Sequence, residues 1–381
     1  MKLTILKEYL NESIQHVSKA ISNKTTIPIL SGIKIDADAN GMTLTASDTD
    51  ISIQSHIPNE KNEISIIDLQ KPGSVVLSSK FFVEIVRKLP ASKIEIEVKD
   101  HFLTIIRSGS SEIQLVGLDP EEYPTLPSIE ENRRIQMPSD LLKSMIKQTS
   151  FAVSTNESTP VLTGVLWTVN EGNLKFTACD RHRLGSRETQ IEVNDEFPVS
   201  NVSISGKTLN ELAKILPDQN TLIDIIFAES QVLFQLSSIL FYTRVLDGTY
   251  PDTSKLIPQA YQTELVINAQ QLANAIDRAY LLSREEKTNI VKMIMREDQT
   301  IEISSSSSEL GKVTEQLDVS QLTGELLRIS FNSKYMLDAL KVIDSELIHI
   351  GFTGAMQPII IRPMEESSTL LQLILPYRTT N

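Results

Sequence analysis

The sequence is poor in the residues that most enzyme and metal-site chemistries need. It has one cysteine, Cys179, which excludes both a disulfide within the chain and a zinc site built on paired thiolates, and which fits a reducing compartment. Its histidines, His16, His56, His101, His182 and His349, have no ligand-like spacing, and no glycine-rich phosphate loop is present. No metal or other cofactor is therefore expected. Long hydrophobic runs are missing as well: stretches such as Ile359–Ile361 are far shorter than the ~20 apolar residues of a membrane-spanning helix. Met1–Glu8 lacks the apolar core and small-residue cleavage site of a signal peptide, so a cytoplasmic location is the expectation. Positive charge is scarce overall, with 36 Lys and Arg against 49 Asp and Glu and a formal net charge of −13. That balance argues against a surface coated by nucleic acid, but it leaves room for a local basic face.

What is present is a repeat. A chain of 381 residues is too long for one ordinary core and points to two or three domains. Segments Ser78–Leu89, Ser205–Leu216 and Asn332–Ile343 share one pattern, each opening on a good helix N-cap. Lys80, Lys207 and Lys334 are each 127 residues apart, and three times 127 is the whole chain. Apolar residues coincide at Phe82/Leu209/Met336, Ile85/Leu212/Ala339, Val86/Ala213/Leu340 and Leu89/Leu216/Ile343. Their spacing marks the buried face of an amphipathic helix. The opposite face repeats too, as Lys80-Glu84-Arg87, Lys207-Glu211-Lys214 and Lys334-Asp338-Lys341. At about 100° per residue these positions fall within about 60° of one another. For one helix the simple reading is a solvated, ion-paired face. Recurrence in register, with lysine preceding the acid in the less favourable order, points instead to a ligand.

An earlier helix recurs around Leu10/Ile14/Val17, Leu142/Ile146/Thr149 and Leu272/Ile276/Ala279. Thr45–Asp48 returns as Thr177–Asp180 at an offset of 132, and Tyr123-Pro124 as Tyr250-Pro251 at 127. Alternating strand patterns such as Ile94–Val98 and Leu174–Ala178 fill the space between helices. The fold class is therefore α+β: three tandem modules, 1–127, 128–254 and 255–381, each an antiparallel sheet with helices on one face. Asp180, His182 and nearby Ser186 are the one cluster that suggests acid–base chemistry. Asp180 and His182 lie almost side by side in sequence, whereas a catalytic triad is assembled by the fold. A cluster that shapes a loop or binds a partner is the better reading.

With these motifs in hand, the chain resembles the bacterial sliding clamps, the beta subunits of DNA polymerase III. The resemblance covers essentially the full length and rests on Thr26–Leu30, Ser79–Phe82, Ile106–Gly109, Ala178–Leu184, Leu246–Asp252 and Phe331–Leu340. It implies a non-catalytic processivity factor for DNA replication. Two chains would form a head-to-tail homodimer, a ring with helices lining the hole and sheets outside, holding double-stranded DNA without sequence preference. For the dimer interface it implies Leu281 and Leu282 on one side and Ile113 on the other. For DNA-binding it implies Lys24, with Ser79 beside Lys80, and Asn156, where this sequence departs from the family pattern, as does Pro160-Val161 in place of an aromatic pair. Lys207 and Lys334 join them through the repeat. A peptide groove for polymerase, clamp loader and repair proteins is implied at Leu162, Cys179, His182, Arg183, Leu184, Pro251, Leu256, Met356 and Pro358. Its far wall is the C-terminal run, ending in Leu375, Pro376, Tyr377 and Arg378.

Two other readings compete: a scaffold of the same fold that binds proteins but not DNA, which suits the acidic charge, and a hydrolase using Asp180 and His182. The ring reading predicts a native mass near twice 42.6 kDa by light scattering. A stable monomer at micromolar concentration would count heavily against it.

Overall fold

The computed structural model describes the chain except residues 23–24, 127–128, 130–132, 193–198, 286–288, 308, 366–367 and 379–381. Six α-helices are described: α1 (Lys7–Val17), α2 (Ser79–Lys88), α3 (Ser139–Ser150), α4 (Gly206–Ala213), α5 (Ala269–Glu285) and α6 (Ser333–Leu340). Each continues directly from a strand, with no loop between. The period-2 pattern of each strand therefore switches to a helical period within one residue, and the junction residue must serve both. Asn332 does so in an extended conformation, its side chain accepting from the N–H groups of Lys334 and Tyr335. Ser78 occupies the same place before α2 but makes no side-chain cap.

The next residue is small and buried in all three copies, as Ser79, Gly206 and Ser333. The Ser79 hydroxyl donates to the Ser31 carbonyl at 2.7 Å, and that of Ser333 donates to the Asn289 carbonyl at 2.9 Å. A Cβ on Gly206 would lie 2.9 Å from the Val153 side chain. Glycine is required there by close approach rather than by backbone angle. Most of the apolar face expected of the repeat helices is buried: Phe82, Leu209 and Met336 have no exposed surface, and neither do Leu10, Leu142 and Leu272, whereas Ile85 and Ala213 are half-buried.

Contacts gather the chain into two compact units, residues 1–139 with 214–245, and residues 140–213 with 246–381. The second repeat is thus shared between them, because sheets run across repeat boundaries. In the first unit an eight-stranded antiparallel sheet takes four strands from the first repeat (Gly73–Ser78, Gly32–Asp38, Gly41–Ser47, Ile51–Pro58). Its other four come from the second repeat (Ile239–Arg244, Gln231–Gln235, Leu222–Phe227, Arg134–Pro138). The two sets join where Ile53 lies opposite Phe241. In the second unit a nine-stranded sheet joins Val199–Ser205, Gly164–Asn170, Asn173–Cys179 and Arg183–Gln190 to five strands of the third repeat, beginning with Leu371–Ile374.

Besides the short hairpin of Glu60–Lys61 and Ile64–Ser65, two smaller sheets remain. The first unit holds a five-stranded sheet ending at Ser111–Val116, and the second a four-stranded sheet ending at Gly311–Asp318. Among the described residues both of these terminal strands have an open edge. No described helix is long and apolar enough to cross a membrane. Replacing Asn332 by alanine should cost about 1 kcal/mol of stability, the usual worth of a lost N-cap, whereas Ser78→Ala should change the urea midpoint little. Equal effects would mean that the caps are not the difference between these junctions.

Candidate functional site

The Thr-Ala-Cys-Asp motif ends a strand and begins a tight turn. Asp180 accepts through Oδ1 from the N–H groups of His182 and Arg183, both at 3.0 Å, while Arg181 takes a left-handed conformation with φ of 74°. The first repeat builds the same turn. Asp48 accepts from the N–H groups of Asp50 and Ile51, at 3.1 and 2.9 Å, around Thr49 with φ of 82°. The recurring aspartate is therefore a turn former. Its other oxygen receives the Arg183 guanidinium at 2.9 Å, so it does not orient the His182 ring as a triad would require.

Arg183 is the hub of this region. Its side chain is 10% exposed, and it ion-pairs at once with Asp180 and, at 2.8 Å, with Asp338 of α6. Its guanidinium lies 4.5 Å from the Tyr335 ring centroid and 5.6 Å from that of Phe151. Paired acids and flanking rings make this a desolvated charge with its partners in place. The arginine clamps the second repeat to a helix of the third. His182 is exposed beside it, with its ring 6.2 Å from that of Tyr335.

Behind the turn lies a separate apolar cluster: Val161, Leu162, Cys179, Leu184, Tyr250, Ile360, Leu371 and Leu373. It brings together Leu162, Cys179 and Leu184 with Leu373 of the C-terminal run, all expected for the peptide groove, and adds Val161, Tyr250, Ile360 and Leu371. The Tyr250 hydroxyl accepts from the Cys179 N–H at 2.8 Å, and burial pushes both the tyrosine hydroxyl and the Cys179 thiol to higher pKa. The thiol is a neutral lining group. The C-terminal strand crosses this region, with Leu373 opposite Leu184 and Ile374 opposite Arg183. Beyond it the Leu375 N–H donates to the His182 carbonyl, and the Tyr377 N–H to that of Ser330. Pro251, Leu256, Met356, Leu375, Tyr377 and Arg378 are exposed, while Pro358 and Pro376 are half-buried.

The repeat helices present Lys80, Lys207 and Lys334 to solvent. The acids of the stripe have different tasks. Glu84 pairs within α2 with Arg87 at 2.6 Å and Lys88 at 3.5 Å, whereas Asp338 holds Arg183. Ser79 is buried and its hydroxyl is directed into the protein, towards the Ser31 carbonyl, whereas Lys80 beside it is exposed. Asn156 is exposed in a turn, its side-chain oxygen accepting from the Ser158 N–H. Lys24 lies outside the described residues. Leu281 is half-exposed on α5 next to the less exposed Leu282, and Ile113 is half-buried on the open-edged strand Ser111–Val116.

Asp338, Tyr335 and Phe151 were not expected as partners of Arg183. The only sequence signal was that Asp338 stands in the repeated stripe. Replacing Arg183 by methionine keeps apolar volume but strands two acids, and should cost about 2–4 kcal/mol. His182→Ala should stay within about 0.5 kcal/mol of the parent, both read from urea midpoints. A silent Arg183 variant would contradict the clamp.

Comparison with known proteins agrees with this architecture. The sequence matches the N-terminal, central and C-terminal domains of the DNA polymerase III beta subunit over residues 1–127, 136–252 and 254–378. It is 52% identical over 379 residues to the beta sliding clamp of Bacillus subtilis (strain 168), and 46% identical over 379 residues to that of Staphylococcus aureus (strain N315), covering 100% of each chain in both cases. The crystal structure of the Bacillus subtilis DNA polymerase sliding clamp superposes with a TM-score of 0.96 over 100% of both chains. The DNA polymerase III beta chain of Streptococcus pneumoniae TIGR4, 36% identical, gives 0.95 over 99% of this chain and 100% of that one. The chain belongs to the DNA polymerase III beta subunit family, the bacterial beta sliding clamps.

Proposed function

We propose that two copies of this chain close head to tail into a ring around duplex DNA and tether the replicative polymerase to it, as a non-catalytic processivity subunit. The observation that carries this reading is the set of leftover half-sheets. Within the chain, strands of one repeat join those of the next twice, four with four and four with five. The two sheets left over have four and five strands, and each ends on an open edge at the corresponding position, Gly311–Asp318 and Ser111–Val116. Joined between copies, they would form a third sheet like the nine-stranded one. Open edges expose unpaired N–H and C=O groups that favour such pairing. A head-to-tail contact is heterologous, and a ring results when its rotation closes. Ile113, Leu281 and Leu282 supply apolar contact at that junction in this reading, and the modules are 1–127, 128–254 and 255–381.

Lys80, Lys207 and Lys334, with Lys24 and the amide of Asn156, then face DNA. Phosphate contacts position a duplex without reading its sequence, which suits a ring that must slide. The apolar cluster around Leu162, Cys179 and Leu184, rimmed by His182, Arg183, Pro251, Leu256, Met356, Pro358, Leu375, Pro376, Tyr377 and Arg378, takes short linear peptides from polymerase, clamp loader and repair proteins. Exposed Met356 offers an adaptable contact. A cytoplasmic location belongs to the same reading.

After treatment with a clamp loader, the protein should stay on nicked circular DNA and be lost when that DNA is linearised. Equal retention on both would refute topological linkage. Charge reversal at Lys24 and Lys80 should weaken DNA association and flatten its salt dependence, and an unchanged response would favour the protein-only scaffold.

A further inference from the structure

The turn beside the apolar cluster is built twice in the chain, and the two copies differ in charge at one place. Both repeats carry a short 3-10 helix at the same offset as the aspartate turn, Pro28–Ser31 and Pro160–Thr163. In each, the hydroxyl at the helix end donates to the proline carbonyl at 2.7 Å. Thr49 and Arg181 hold the same left-handed turn position, with φ of 82° and 74°. Ile27 and Thr159 hold the same place before the helix. The frame is constant, so these two positions vary without disturbing it. The first repeat has no charge at either. In the second, Nη2 of Arg181 donates to Oγ1 of Thr159 at 3.1 Å.

A left-handed position favours glycine or asparagine, so the backbone gains nothing from a long charged side chain there. Arg181 is exposed, and the acid next to it, Asp180, is taken by Arg183. A guanidinium has several N–H donors, and one bond to a neutral hydroxyl leaves most of them unspent. That bond runs from the turn after Cys179 to the residue before Pro160, which sets the charge beside Val161, Leu162 and Cys179 of the apolar cluster. The Cys179 thiol registers it: burial pushes the thiol pKa up, and the positive charge of Arg181 works against that push. Arg183 supplies no comparable charge, because Asp180 and Asp338 both pair with it.

We infer that Arg181 is a specificity determinant of this surface: its guanidinium, held at the mouth by Thr159, receives a carboxylate from the incoming peptide. The preferred ligand then combines apolar anchors with one acidic residue at a fixed distance from them. This rests on the peptide-binding reading and narrows its ligand class. Arginine meets a carboxylate through two parallel charge-assisted hydrogen bonds, which select by geometry as well as by charge. The apolar cluster supplies contact area, and the cation at its edge sets which sequences lie across it.

The test selects from displayed random octapeptides on the immobilised full chain and, separately, on its Arg181→Gln variant. Peptides enriched on the parent should share apolar anchors and an aspartate or glutamate at one spacing, and those enriched on the variant should share the anchors alone. With a selected peptide and its amide version, fluorescence anisotropy should show about tenfold weaker binding of the amide to the parent and equal binding of both to Arg181→Gln. Met356→Ala combined with Tyr377→Ala, at two exposed rim positions, should weaken both peptides. Anchors without an acid on the parent, or the same loss from the amide in both proteins, overturns the role of Arg181 and leaves the peptide surface standing. No enrichment, or peptides indifferent to the Met356 and Tyr377 changes, overturns both.

Discussion

Backbone pairing at strand edges is the constraint from which the rest of this structure follows. Each repeat supplies two half-sheets that cannot close alone, and an open edge invites the next strand. Inside the chain this demand is met twice, at Ile51–Pro58 against Ile239–Arg244 and at Arg183–Gln190 against Leu371–Ile374. The contact units therefore do not follow the repeats, and the second repeat is divided between two bodies. Side chains then specialise each junction. Arg183 with Asp338 and Tyr335 closes one by charge, and the cluster around Cys179 and Leu184 lies against the same pair of strands.

The site also shows how one segment can serve two purposes. Asp180 fixes the turn, the turn places Arg183, and Arg183 ties down α6. The same hairpin carries Cys179 and Leu184 into an apolar surface whose other side is the C-terminal strand. A surface that is to receive a ligand gains from a rigid support. Here the rigidity comes from a saturated ion pair outside the apolar patch, which leaves the patch free of buried charge.

Much of this was legible in the sequence. A 127-residue period with apolar residues at helical spacing needs only counting, and it located α2, α4 and α6 to within a few residues, although α4 stops at Ala213 rather than reaching Leu216. Burial of Phe82, Leu209 and Met336 followed from the same spacing. What sequence could not give was the partner of each polar group. Ser78 looks as good a cap as Asn332 but makes no cap bond. Ser79 looks like a surface hydroxyl but donates inward to Ser31. Asp338 looks like the centre of a solvent-facing stripe but holds an arginine 155 residues away. Local pattern reports which face is buried, whereas long-range pairing depends on topology, and the strand order that creates it leaves no periodic trace.

The position of Leu371–Ile374 in the middle of the nine-stranded sheet has a consequence for synthesis. The eight-stranded sheet has all its strands once the chain has reached Arg244. The other sheet must wait for Leu371–Ile374, because its two halves meet only through that strand. Until then the Arg183–Gln190 edge lacks its second neighbour, and the hairpin is held by its turn, by strand Gly164–Asn170 and by the bonds of Arg187 to Ser144 and Gln148. A ribosome that stalls or a message that ends early would thus release a chain with its first sheet whole and its second split.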